Sequence, residues 1–261
     1  MIYDVIIIGA GPAGLFAAVN LKNKNVLILE KNKAPGKKLL LSGAGQCNYT
    51  NNCGINDFLK KYGDKSRFIK PALYNFTNQD IMDFFEGQGL KSLIREDKKV
   101  FPSSLKAMDL LNVLIESTKH AEMLLNTSVE NVTYDEMKEL FYIRTESTSF
   151  ACHNLIISSG GKSYPNTGST GDGYGLAASL GHSIVDLKPA LTPVYVDNYQ
   201  FKELSGLSFE NIKLSLWKNN KKSKEFTGDL LFTHRNISGP LVINNSRYME
   251  PGDNIIINFT S

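Results

Sequence analysis

The chain has 261 residues, 42% hydrophobic and 21% charged, the composition of an ordinary soluble globular protein of about two domains. Net charge is +3, with lysines in scattered pairs (Lys37-Lys38, Lys60-Lys61, Lys98-Lys99). The densest basic run, Lys218 to Lys224, is broken by Asn219 and Asn220 and reads as a solvated hairpin turn, so no nucleic-acid partner is expected.

Three cysteines, Cys47, Cys53 and Cys152, show no CxxC spacing. That excludes a disulfide framework, a zinc site and a thioredoxin motif, and fits a reducing cytoplasm. No metal site is expected. The opening apolar run is short and ends in glycines, so it is neither a signal peptide nor a membrane span, and no membrane partner is expected.

In chain order, the pattern predicts a strand at about 3–8, a helix at 12–22 and a strand at 25–30. Val5 to Ile8 is a β-branched run suited to a parallel strand buried on both faces. Asp-Val-Ile-Ile-Ile-Gly-Ala-Gly-Pro-Ala-Gly over residues 4–14 is a dinucleotide fingerprint, each piece with its own task. Gly9 permits a tight turn, Gly11 lets the backbone approach a pyrophosphate, and Gly14 clears the way for close helix packing. The helix opening at Pro12 and Ala13 offers free N–H groups and a positive dipole end to phosphates. Glu30 stands where a carboxylate can accept from both ribose hydroxyls, and it would repel a 2′-phosphate, disfavouring NADP here. A glycine-rich turn without a ligand is the alternative, but strand, fingerprint, helix, second strand and acidic terminus in order argue against it.

A polar loop from Lys31 to Asn56 follows, rich in Gly, Ser and Asn; a loop of that length is either functional or a mobile surface segment. Topology returns Gly36–Asn51 over the carboxyl ends of the strands. Its small residues would let backbone N–H groups reach a ligand, and Gln46, Asn48, Thr50 and Asn51 supply the neutral hydrogen bonding that an isoalloxazine edge needs. Apolar spacing predicts helices at 78–87 and 104–120, the second capped by Ser103 or Ser104, with a short strand pair at 91–94 and 99–101 between them. Strands are predicted near 123–134, 139–146 and 150–152, then a separate buried strand Leu155–Ile157. A helix opens at Gly171-Asp172-Gly173 and stops at Gly181. From Pro189 alternating strands (194–196, 212–217, 229–232), and a last one at Ile255–Ile257, indicate a mostly antiparallel domain.

Five blocks then point to one family: GKKLLLSGAGQCNYTN (36–51), VFPSSLKA (100–107), SSGGKSYPNTGSTGDGYGLAASLGH (158–182), PALTPV (189–194) and LLFTHRNISGP (230–240). In their order and extent the chain resembles the BaiN-like, aminoacetone-oxidase-like group of FAD-binding oxidoreductases, also called YhiN-like flavoproteins. The resemblance implies an α/β fold, with a Rossmann-like FAD-binding domain over 1–190 around a parallel central sheet. An inserted, mostly antiparallel β domain would begin at 191 and be incomplete at 261. It implies FAD as cofactor, held by Gly9, Gly11, Pro12, Ala13, Gly14, Glu30, Lys31 and Lys38. Ser42, Gly43, Gly45, Gln46, Cys47 and Asn48 would lie beside the flavin. The Val129 backbone would meet the adenine, and Ser159, Gly160 and Gly161 would pass near the pyrophosphate.

Two departures stand out. Many relatives carry Arg at the position of Gln46, and Gln fits the aminoacetone-oxidase-like branch. Family members also continue well beyond this length with a GLY-x-x-GE-x-D-like segment that closes the flavin site. The chain is therefore expected to be a fragment, or else a naturally shortened relative, that alone binds FAD weakly or aggregates. His234 stands open as a proton donor facing substrate or as a turn residue before the helix at Pro240, and Asn236 replaces a Gly common in relatives, where the tolerance of Asn for positive φ would let the turn survive. Cys47 is read as a thiol redox partner or, preferably, as a small packing residue. His182 reads as a helix C-cap.

The leading expectation is an FAD-dependent oxidoreductase acting on a small organic substrate, either oxidising an aminoacetone-type amine with O2 or reducing an enone-like compound with NAD(P)H. The absence of a second fingerprint makes NAD(P)H a transient donor and tilts the reading towards the oxidase. A non-catalytic flavin-binding module is the alternative from another class, and an NAD-dependent dehydrogenase is disfavoured by the long loop after Glu30.

Overall fold

The computed structural model describes residues 1–259. The chain divides into two compact units, Met1–Ile184 and the residues from Val185 on; the sequence blocks place the corresponding boundary at 190/191.

The first unit begins β1 (Ile2–Ile8), α1 (Pro12–Val19), β2 (Val26–Leu29), β3 (Thr50–Asn51), α2 (Ile55–Lys60), α3 (Ser66–Asn75) and α4 (Asn78–Gly87). It continues β4 (Ser92–Ile94), β5 (Lys99–Pro102), α5 (Ala107–Ser117), β6 (Glu122–Leu124), β7 (Val129–Asp135), β8 (Leu140–Thr145), β9 (Ser149–Ile157) and α6 (Asp172–Ser179). Six strands form one sheet in the order β6-β2-β1-β9-β8-β7. The first four run parallel, and β8 and β7 add an antiparallel edge. β1 is central because its side chains are apolar on both sides. Val5 and Ile7 pack with Leu15, Ala18, Leu110, Leu111 and Leu114 of α1 and α5. Ile6 and Ile8 pack the other way, with Val132, Ile143 and Leu176. The period of two thus places α1 and α5 against one set, and β7, β8 and α6 against the other.

Several expectations are corrected. The strand predicted over 123–134 breaks into β6 and β7 around left-handed Asn126 (φ 53°), whose N–H donates to the Asn32 carbonyl. The strands read at 150–152 and 155–157 are one strand, β9, which pairs with β1 from Ala151 to Ile157; Asn154 does not interrupt it because its side-chain amide donates to the Asp4 carbonyl (3.0 Å). The helix predicted from 104 starts at Ala107 after Lys106, and neither Ser103 nor Ser104 caps it. Leu105 is left-handed (φ 54°) and closes a turn onto the Pro102 carbonyl, so the chain cannot be helical there. α1 ends at Val19 rather than 22, and α2 and α3 occupy a stretch without an expected helix.

The second unit contains β10 (Val194–Tyr195), β11 (Ser208–Lys218), β12 (Lys221–Phe232), β13 (Asn236–Ser238), α7 (Pro240–Asn245) and β14 (Asn254–Asn258). They form an antiparallel sheet in the order β10-β13-β12-β11-β14. Asn219 and Asn220, both left-handed (φ 50° and 60°), make the tight β11–β12 turn, as the asparagines in the basic run implied. β12 is far longer than the expected 229–232, because pairing with β11 carries the polar stretch 221–228 along. Leu214, Leu230, Phe232, Leu241 and Val242 form its core. Among the described residues, no helix is long and apolar enough to cross a membrane, and no cluster of three or more His, Cys, Asp or Glu could hold a metal ion.

Candidate cofactor site

The chain leaves β1 towards α1, β2 and β6 on one side and returns through β9 on the other. Such a reversal of strand order opens a crevice at the carboxyl ends of the strands. A cleft of about 210 Å³ lies there, between Ile8, Leu29 and Ser158.

The three fingerprint glycines solve three different problems. Gly9 has φ +104°, and a Cβ there would lie 2.7 Å from the Ser158 carbonyl oxygen. A Cβ on Gly14 would lie 2.0 Å from the Gly9 carbonyl oxygen and 2.6 Å from Ser158 Oγ, so only glycine lets α1 approach. Gly11 has ordinary φ (−78°), and a Cβ there would meet nothing within 4 Å; it borders open cleft. The first N–H groups of α1, beyond Pro12, lack acceptors within the helix and face a site that takes anions well.

Glu30 is only 7% exposed, and its carboxylate is held from both ends. Ala10 N–H donates to Oε2 at 2.8 Å, while the Asn32 N–H and side-chain amide donate to Oε1 at 2.8 and 2.7 Å. The second strand is thereby tied to the glycine loop. Of roughly four acceptor positions on a carboxylate, three are taken within the chain.

The far wall comes from a segment more than a hundred residues away. Lys31 Nζ donates to Asp172 (2.5 Å) and Thr170 (2.7 Å), Lys37 Nζ to the Asn166 carbonyl (2.8 Å), and Asn32 Nδ2 to the Thr167 carbonyl (3.2 Å). Gly168, at φ +93°, fits because a Cβ would lie 2.5 Å from Asn32 Nδ2. The Lys31 hydrogen bond, then that of Thr170, holds the Asp172 carboxyl below its ordinary value. A depressed carboxylate contributes stability above its unfolded value of 3.8, lost as pH falls through the folded value. Lys31→Met is therefore expected to move the Asp172 midpoint upward in a carboxyl-carbon NMR titration; an unchanged midpoint would show that Lys31 does not act on it.

Of the residues singled out from sequence, Gly9, Gly11, Pro12, Ala13, Glu30, Lys31, Lys38, Val129, Ser159 and Gly160 line this cleft together. Gly14 lies beneath it, and Gly161 sits beside Tyr174, outside the lining. Asn32, Thr127, Ser128, Thr167, Gly168, Ser169 and Asp172 also line it and were not singled out. The sequence signal for the last four was their place in the 158–182 block and, for Asp172, the helix opening at Gly171-Asp172-Gly173.

Ser42, Gly43, Gly45, Gln46, Cys47 and Asn48 do not line the cleft; they form a separate folded loop. Gly43, Ala44 and Cys47 are left-handed (φ 56°, 54° and 60°), Ser42 Oγ donates to the Leu39 carbonyl (2.6 Å), and Cys47 N–H donates to the Ser42 carbonyl (2.9 Å). The Asn48 amide reaches the Thr50 and Val100 carbonyls at 2.9 and 3.2 Å. Gln46 Oε1 accepts from Arg95 Nη2 at 2.6 Å, and that guanidinium stacks 4.0 Å above the Phe101 ring. The segment is pinned by backbone bonds from Gly36 to Ala10 and from Tyr49 to Val100.

Cys47 is 1% exposed and packs in the core. Burial pushes its thiol up, the Ser42 contact opposing, and burial pushes Cys152 up to about 11. In native protein at pH 8, Ellman's reagent is expected to react with Cys53 and leave Cys47 and Cys152 protonated and shielded; rapid reaction of more than one thiol would contradict this. His234 lies exposed in the second unit, on a turn where Thr233 N–H donates to the Asn236 carbonyl (3.0 Å). Asn236 does not have positive φ; it is the first residue of β13, so its substitution for Gly needs no left-handed tolerance. His182 N–H donates to the Ala177 carbonyl (3.2 Å), closing the end of α6.

Residues 3–238 match the family model described as HI0933-like protein Rossmann domain. The chain is 34% identical over 97% of its length to a Haemophilus influenzae protein named ribosomal RNA dihydrouridine synthase, and 30% identical over 98% to an Escherichia coli protein of the same name. It is 30% identical over 94% of its length to the 3-dehydro-bile acid delta(4,6)-reductase of Clostridium scindens. It spans 63%, 63% and 60% of those proteins, about three-fifths of each. With the glycine turn, the oriented carboxylate and the helix N-terminus on one α/β cleft, these matches establish that the chain belongs to the HI0933-like Rossmann family.

Proposed function

We propose that the protein is a flavin-dependent reductase of a carbon–carbon double bond conjugated to a carbonyl, with NAD(P)H as transient electron donor. One observation carries this reading. The relatives named for two unlike substrates share a single chemistry, since dihydrouridine is uridine reduced across the bond conjugated to its C4 carbonyl and a delta(4,6)-reductase acts on a bond conjugated to a steroid ketone. The enone reduction raised by the sequence is thus favoured over oxidation of an aminoacetone-type amine.

Bound FAD would supply the hydride chemistry, and the protein its position and surroundings. In this reading Gly11 and the α1 N-terminus hold the pyrophosphate, Glu30 accepts from a ribose hydroxyl, and Val129 and the Ser159–Gly160 turn flank the adenine and phosphates. The Lys31–Asp172 pair secures the wall over them. Ser42, Gly43, Gly45, Gln46, Cys47 and Asn48 remain assigned to the flavin side, and His234 to proton delivery at the carbon next to the carbonyl.

The test is anaerobic stopped-flow with FAD-loaded protein. NADPH or NADH should bleach the flavin, and a 4,6-dien-3-one steroid or a uridine-containing RNA should restore its absorbance with formation of the reduced product. Bleaching by aminoacetone, with peroxide on admitting oxygen, would overturn the reading in favour of the oxidase. Flavin that responds to none of these would favour the non-catalytic module.

A further inference from the structure

α3 is a helix without a buried residue. Its half-buried positions Ser66, Ile69 and Leu73 recur at i, i+3 and i+7 and face inward. Arg67, Lys70 and Tyr74 recur at the same spacing on the exposed side, flanked by Phe68 at 89% exposure. The Lys70 ammonium lies 5.4 Å from the Tyr74 ring centre, and the Tyr74 hydroxyl donates to Asn56 of α2 at 3.2 Å. Residues 60–70 carry five Lys or Arg against one acid, Asp64. Lys60 is paired with Asp57, whereas no carboxylate pairs with Lys65, Arg67 or Lys70 among the described residues.

The segment before α2 is tied to the hairpin that borders the Gln46 loop. Asn52 N–H, just before α2, donates to the Lys98 carbonyl (2.8 Å) at the tip of the β4–β5 hairpin. The same hairpin carries Arg95, set over the Phe101 ring and bonded to Gln46. Cations without partner carboxylates, set among exposed aromatic rings, suit a polyanion that also offers flat bases to stack. A bilayer is the poorer fit, because Ile69 and Leu73 face inward and leave no apolar stripe to insert.

We propose that α2, α3 and the β4–β5 hairpin form a docking face for single-stranded RNA, leading to the Gln46 loop. Arg67 and Lys70 contact phosphates, and Phe68 stacks on a base. The assignment rests on the reductase reading above, with a uracil in RNA as the conjugated substrate.

The experiment is fluorescence anisotropy of the protein with a fluorescein-labelled oligouridine RNA of about 12 nucleotides, as a function of salt. Arg67→Glu with Lys70→Glu is expected to weaken binding by about tenfold or more at low salt and to flatten the salt dependence. Phe68→Ala should weaken it by roughly fivefold or more with the salt slope kept. A control reversal on the second unit, Lys213→Glu with Lys221→Glu, should leave binding within a factor of two or so. Circular dichroism melts check folding, and Arg67→Gln with Lys70→Gln serves if the reversal misfolds. RNA binding that is equal in wild type and α3 variants would overturn the docking face and leave the RNA reading standing. A wild type that ignores RNA even at low salt would overturn both. Binding instead to phosphatidylglycerol vesicles, lost in the α3 variants, would overturn the proposal by making this a membrane surface. The stopped-flow test with the steroid judges the reductase reading separately.

Discussion

Gly14→Ala is expected to unfold or severely destabilise the first unit, while Gly11→Ala, three residues earlier, leaves its stability nearly unchanged. The added carbon at Gly14 would sit 2.0 Å from a backbone carbonyl oxygen, that of Gly9, which is itself confined at φ +104° against Ser158. Neither atom belongs to a flexible side chain, so α1 must move away from β1. That would open the packing of Leu15 and Ala18, both fully buried, against Val5 and Ile7. A loss of at least about 3 kcal/mol is expected, at the upper end of overpacking effects. At Gly11 the backbone is extended and the new methyl meets nothing within 4 Å, so the change should stay within about 0.5 kcal/mol. Its methyl would stand where the reading above places the pyrophosphate, and FAD affinity should fall by at least about tenfold. Urea unfolding and FAD titration of both variants separate the effects. Equal stabilities would refute the packing account of Gly14, and unchanged FAD affinity in Gly11→Ala would move the pyrophosphate elsewhere.

Glu30→Ala is expected to cost about 3 kcal/mol in urea unfolding even without ligand. It removes the acceptor of two backbone N–H groups, those of Ala10 and Asn32, and of the Asn32 side chain. Ala10 is fully buried, and an orphaned buried donor costs about 1–3 kcal/mol. Glu30→Gln should be intermediate, since its amide oxygen can accept from one side while its NH2 opposes a donor on the other. Both should lose FAD affinity beyond their loss of stability. If Glu30→Ala is as stable as the parent, the carboxylate does not organise the glycine loop.

The fingerprint and its carboxylate were legible because their geometry is local. A turn, a helix start and a strand end lie within one βαβ unit, and spacing along the chain becomes spacing in space. The hairpin at Asn219-Asn220 was legible for the same reason. The far wall of the cleft was not. Lys31 meets Asp172 across 141 residues, and Asn32 meets Thr167 across 135; no local pattern encodes such pairs. The single strand β9 was misread as two because His153-Asn154 breaks the apolar run, yet pairing with β1 carries it through. α3 left no core stripe to find, since nothing on it is buried.

The sequence by itself determined the glycine turn, the helix start and the strand-end carboxylate of the candidate cofactor site. Glycine and carboxylate chemistry at fixed short spacing leaves the backbone few alternatives, and the sequence blocks pointed to the family. Only the tertiary structure decided which loops face the cleft. It put the 166–172 segment there and the 42–48 loop on its own support of Phe101 and Arg95. It also tied up most of the Glu30 carboxylate within the chain. Those outcomes depend on contacts whose entropy cost is met only once the sheet has formed and brought distant segments together.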